Sequence, residues 1–111
     1  MPYELELADR LREALADEDG IIEKGMFGGR AFLLNGNMAI SASGRGGLMV
    51  RVGVEQVEDA LSRPHTKQIE MRGRPMRGWI HVAPEGARNQ RQVATWVRRA
   101  LVCTRALPPK R

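Results

Sequence analysis

Arg30-Ala31-Phe32-Leu33-Leu34-Asn35-Gly36-Asn37-Met38-Ala39-Ile40-Ser41-Ala42 is the stretch on which the fold turns. Two largely apolar runs flank Asn35-Gly36. Such a pair is a strong hairpin signal, because a two-residue turn needs positive φ at both central residues, which Asn and Gly tolerate. A tight turn here pairs Leu34 with Asn37, Leu33 with Met38, Phe32 with Ala39, Ala31 with Ile40 and Arg30 with Ser41. Side chains alternate along a strand, so one face carries Ala31, Leu33, Met38 and Ile40. The other carries Arg30, Phe32, Ala39 and Ser41.

The rest of the chain is read outward from that hairpin. Downstream, the loop Ser43-Gly44-Arg45-Gly46-Gly47 leads to a third strand, Leu48 to Val52. Upstream, Tyr3, Leu7, Leu11, Ala14 and Leu15 recur at helical steps, predicting a helix over about 3–18 with Pro2 in its first turn. Asp19-Gly20 ends it. Gly25-Met26-Phe27-Gly28-Gly29 lacks the spacing of a phosphate-binding loop and precedes no helix, so it reads as a bend or bulge entering the hairpin. Val54, Val57, Ala60 and Leu61 make a short helix closed by Pro64. Gln68 to Arg72 and Trp79 to Ala83 read as two strands joined through residues 73–78. Asn89 with Gln92 forms a capping box opening a last helix over about 90–106. Val93, Trp96, Val97, Ala100, Leu101 and Cys103 supply its buried side, and Pro108-Pro109 stops it. The expected architecture is one α+β domain over residues 1–111. Three helices lie mainly on one face of an antiparallel sheet of about five strands, in the order α-β-β-β-α-β-β-α.

Composition narrows the function classes. With 42% hydrophobic and 28% charged residues the chain is globular in character. No apolar run approaches the ~20 residues of a membrane span, and no signal-peptide pattern opens the chain, so a cytoplasmic protein with no membrane contact is expected. The single cysteine, Cys103, excludes an internal disulfide and a cysteine zinc cage. Charge is graded along the chain. Residues 1–24 hold eight acids against three bases, whereas residues 62–111 hold twelve bases against two acids. That asymmetry fits either an anionic partner or a solvated arginine-rich surface.

No motif carries catalysis. The serines lack a nucleophile elbow, and His65 and His81 have no Cys or acidic neighbours at metal spacing. Catalytic residues, metal ligands and cofactors are therefore expected to be absent, and the chain reads as a non-enzyme. The candidate contact residues are arginines. Arg72-Gly73-Arg74-Pro75 has the core composition of an AT-hook, and with Arg77 it also reads as a turn with solvated arginines. Arg91, Arg98 and Arg105 recur every seven residues, a stripe that suits either a phosphate backbone or a solvated helix face. If helices cover Leu33, Met38, Ile40 and Val50, the opposite sheet face shows Arg30, Phe32, Met49 and Arg51. Mixed arginine and apolar side chains there suggest a contact surface for a partner protein, a second copy or nucleic acid.

Taken in order, Met26-Phe27-Gly28-Gly29, Gly47-Leu48, Arg51-Val52, Arg74-Pro75-Met76, Trp79 and Leu107-Pro108-Pro109-Lys110 resemble the N-terminal domain of the TfoX/Sxy family, bacterial regulators of competence for DNA uptake. The resemblance implies an α+β sheet with flanking helices. It also implies a co-regulatory role in activating competence genes together with the cyclic-AMP receptor protein. Full-length members add a C-terminal helical domain, which this chain is expected to lack. Two readings follow. One is a non-enzymatic regulatory module contacting a regulatory protein, DNA or both. The other is a small homo-oligomeric domain, such as a homodimer, or a ligand-binding domain with no nucleic-acid role.

Overall fold

The computed structural model describes residues 4–26 and 28–109, and of Met71 the backbone alone. The expectations placed on Pro2, Tyr3, Phe27 and Lys110 lie outside the described residues. The elements are α1 (Leu5–Ala14), β1 (Ile21–Met26), β2 (Gly29–Leu34), β3 (Asn37–Ala42), β4 (Leu48–Arg51), α2 (Val57–Leu61), β5 (Thr66–Met71), β6 (Arg74–Val82) and α3 (Gln90–Arg105). Short 3-10 turns at Val54–Gln56 and Pro84–Gly86 precede α2 and α3.

The α+β class and the antiparallel pairing are as expected, with six strands rather than five. Their order is β1-β2-β3-β4-β6-β5, every neighbouring pair antiparallel. The additional strand is β1. Its inward positions, in register with Leu34, Phe32 and Arg30, are Ile21, Glu23 and Gly25. The usual apolar alternation is missing because Glu23 occupies an inward site as an ion-pair partner.

The hairpin turn forms as predicted, with φ of +52° at Asn35 and +85° at Gly36. Leu34 pairs with Asn37 and Leu33 with Met38, but the register then shifts and Phe32 pairs with Ile40. Ala39 is the extra residue of a β-bulge, and a bulge moves all later side chains of its strand to the other face. The expected face assignment is therefore corrected. Phe32, Leu34, Ile40 and Ala42 point to the helices together with Leu48, Val50, Ile80 and Val82. Ala31, Leu33, Met38 and Ser41 share the other face with Met49 and Arg51.

Helical periodicity builds the cover. Leu7, Ala8, Leu11 and Leu15 of the α1 region meet Val93, Trp96, Val97, Ala100 and Leu101 of α3, and all join one core with the inward strand residues. Burying a side chain such as Phe32 contributes about 1.5–3 kcal/mol, so this layer carries the domain's stability. Asn89 caps α3 by accepting a hydrogen bond from the Gln92 N–H at 2.9 Å. The Gln92 side chain returns to the Arg88 N–H at 2.8 Å, one residue upstream of the cap position a capping box would use.

Candidate functional site

β6 is nine residues long, but β4 pairs only with Trp79 to Val82. Its first half therefore runs beyond the sheet with β5 as a two-stranded arm. The turn of the arm is Arg72-Gly73, with φ of +54° and +78° and with Met71 paired to Arg74. This is the two-residue geometry that right-handed strand twist favours. Most of the expected connector, residues 74–78, is thus strand. An AT-hook works as an extended, flexible segment, and this hairpin departs from that form. The arm narrows to its root through an irregularity between Gln68 and Glu70, where residues 76–79 of β6 bow out of register. The Gly78 carbonyl closes the root by accepting from the N–H groups of Val52 at 2.8 Å and Gly53 at 3.0 Å.

Arg72, Arg74 and Arg77 are all exposed on this arm. Among the described residues none of the three takes part in an ion pair. A Cβ built on Gly73 would meet nothing within 4 Å, so the tip stands in open space. Three unpaired guanidinium groups on one protruding ribbon form a concentrated positive site, suited to phosphate or carboxylate.

The other candidate residues fall elsewhere. Arg30 and Phe32 lie on the helix-covered face, not beside Met49 and Arg51. Phe32 is 2% exposed and sits in the core. Arg30 donates from Nε to Glu23 Oε2 at 2.5 Å, and the same carboxylate binds Arg12 of α1. The Arg12 and Arg30 guanidinium groups hold the Glu23 carboxyl down at about 2, against an ordinary 4.5. Arg30 is thus committed to joining α1, β1 and β2.

Met49 and Arg51 do lie on the face away from the main core, where their neighbours Ala31, Ser41 and Trp79 are nonetheless buried. The Arg51 guanidinium lies 5.7 Å from the Trp79 ring centroid, and its Nη1 donates to the Met38 carbonyl at 3.2 Å. Beside them His81 donates from Nε2 to the Gly46 carbonyl at 2.9 Å, tying the 43–47 loop to β6. The arginine stripe of α3 is broken. Arg91 and Arg98 are exposed, whereas Arg105 is ion-paired with Glu18 beyond the end of α1. Neighbouring Arg99 is paired with Asp59 at 3.0 Å. The ten candidate arginine and apolar positions therefore divide among the core, the arm, the far sheet face and the outer face of α3. The arm alone assembles three of them on one element without internal partners.

Sequence reasoning missed a groove. It is lined by Cys103, expected to be buried but only partly buried here, and by Val54 at 56% and Val102 at 65% exposure. The signal was present, since Val102 is an apolar residue out of phase with the buried stripe of α3. Among the described residues no group of three His, Cys, Asp or Glu could hold a metal ion, and no helix is long and apolar enough to cross a membrane.

A family model described as the TfoX N-terminal domain matches residues 13–103, which is most of the chain: the whole sheet, α2 and most of α3, with only the end of α1. The chain belongs to the TfoX N-terminal domain family. No curated protein and no solved structure matches it. Membership makes this TfoX N-terminal domain a competence-related regulatory domain in the coarse sense that its family carries. The matched span takes in the whole β5–β6 arm, so the arm is part of the family domain rather than an appendage to it.

Proposed function

We propose that this domain is a non-enzymatic, transcription-associated regulator that contacts duplex DNA through the β5–β6 arm. The observation that carries the reading is the protrusion of Arg72, Arg74 and Arg77 without ion pairs among the described residues. Arginine on a two-stranded ribbon can follow a groove or a phosphate path, and its fork of donors matches phosphate oxygens. The charge distribution supports this reading. The acids of the N-terminal third neutralise Arg10, Arg12, Arg30 and Arg105, which leaves the arm, with three arginines against Glu70, as a net positive site.

The test is fluorescence anisotropy of labelled duplex DNA titrated with the protein at about 50 and 200 mM salt, where each neutralised phosphate adds about −0.9 to the logarithmic salt slope. Binding that weakens steeply with salt, and an Arg72→Ala/Arg74→Ala/Arg77→Ala variant that loses about two to three units of that slope, would support the reading. An equal loss from an Arg91→Ala/Arg98→Ala pair would move the contact to α3. No binding at either salt would overturn the DNA role.

A further inference from the structure

The arm's own dimensions bear on which groove of DNA it enters. Two antiparallel strands lie about 4.8 Å apart, and a ribbon of that kind fits the major groove of B-form DNA, about 12 Å wide. The minor groove, about 6 Å wide, is too narrow unless it is forced open. The straighter strand, β5, takes three steps from Gln68, level with Ile80, to Met71, about 10 Å before the turn is added. The major groove is about 8.5 Å deep, so the turn reaches its floor.

Arg72 stands at the leading end. It holds the first central position of the turn at φ +54°, where Asn, Asp or Gly is preferred, and its side chain is exposed. An arginine there is the first group to arrive at a base edge. Its forked N–H donors match the N7 and O6 acceptors of guanine, which only the major groove displays. Arg74 and Arg77, exposed and set back from the turn, are left for the phosphates that wall the groove.

Glu70 decides between the two grooves. It is exposed, lies directly across the ladder from Pro75, and has no ion pair among the described residues. A ribbon can also enter a widened minor groove behind an apolar wedge, and the exposed Pro75 is placed to be one. The minor groove of A·T pairs presents only acceptors, however, and its negative potential grows as it narrows. A carboxylate beside the wedge is repelled there. In the major groove the same carboxylate meets an amino donor, N4 of cytosine, the partner of guanine. Three arginines and one carboxylate therefore suit a G·C pair read from the major groove.

We propose that the β5–β6 arm enters the major groove of B-form duplex DNA tip first, with Arg72 reading guanine and Arg74 and Arg77 on the flanking phosphates. Groove and base both rest on the DNA contact proposed above.

The test is anisotropy at about 50 mM salt on three duplexes of one length and sequence. One is unmodified and contains G·C pairs. In the second, 7-deazaguanine replaces each guanine and removes the N7 acceptor from the major groove. In the third, inosine replaces each guanine, which removes the amino group from the minor groove and keeps N7 and O6. The 7-deazaguanine duplex should bind about fivefold more weakly or worse, and the inosine duplex within about twofold of the unmodified one. Arg72→Gly, which the turn accepts at positive φ, should bind all three alike. Weaker binding to the inosine duplex alone would put the arm in the minor groove and overturn the proposal. Equal binding of all three by the wild-type protein would also overturn it, because the arm would then hold phosphates only, and the DNA contact itself would stand. No binding to any duplex would overturn that contact, and groove and base with it.

Discussion

Glu23 holds Arg12 with both carboxylate oxygens, Oε1 at 2.8 Å from Nε and Oε2 at 2.7 Å from Nη2. This two-pronged contact fastens α1 to the edge strand β1, and Arg30 shares the second oxygen. The Glu23 carboxyl titrates at about 2 when folded, against an ordinary 4.5. Its contribution to stability is therefore complete above the higher value and drains away as pH falls toward the lower one. Glu23→Gln should cost about 1 kcal/mol near neutral pH, the discounted worth of a pair partly open to solvent. The gap between wild type and variant should narrow between about pH 4.5 and 2. Urea titrations across that range check it, and a gap independent of pH would show the pair to be idle.

The bulge at Ala39 predicts unequal mutational costs for two apolar residues once expected on the same face. Phe32→Ala should cost about 3–5 kcal/mol, because it opens a cavity under the helices. Met49→Ala, on the far face, should cost no more than about 1 kcal/mol. Chemical denaturation of the two variants gives the comparison directly. Similar losses would place Phe32 outside the core.

Gly29 tests whether the glycine-rich segment is structural. A Cβ at Gly29 would lie 2.3 Å from the Ala42 carbonyl oxygen, a backbone atom that cannot step aside. Gly29→Ala should therefore lower stability by about 2 kcal/mol or more, as overpacking against main chain does. It should do so with or without phosphate present. Thermal melts in a non-phosphate buffer and in phosphate separate this from a phosphate cradle, which would show stabilisation by the anion.

Arg51 over Trp79 offers an optical handle on the far sheet face. In a Trp96→Phe background Trp79 is the remaining tryptophan, and Arg51→Ala should shift its emission to the red as the ring gains solvent. Trp79 is only 6% exposed, so the accompanying loss of stability should be about 1–2 kcal/mol, between the worth of an exposed and of a desolvated cation–π contact. An unchanged spectrum would mean that other side chains shield the ring.

Much of this was legible in the residues. Periodicity located α1 and α3, and Asn35-Gly36 located the central hairpin, because both signals are local. The face assignment failed at Phe32, since a bulge leaves no composition mark when the extra residue is an alanine that packs well on either side. The strand β1 was hidden by Glu23, whose partners Arg12 and Arg30 are 11 and 7 residues away in sequence. Arginines 72, 74 and 77 were singled out by composition, but their protrusion depends on β6 outrunning β4, a relation among three strands. Of the groove only Val102 left a mark, out of phase with the buried stripe of α3; Val54 joins it in one hollow only after the 52–56 segment packs near the end of α3.

The arm and the groove meet at one peptide. The Gly78 carbonyl is gripped by the N–H groups of Val52 and Gly53, and a Cβ on Gly78 would approach the Val54 nitrogen to 3.3 Å. The root of the arm is thus built on the groove's own wall. A side chain at position 78, where φ is +84°, would press on the very peptide that anchors the arm, so one substitution there would disturb the root of the ribbon and the 53–54 segment together.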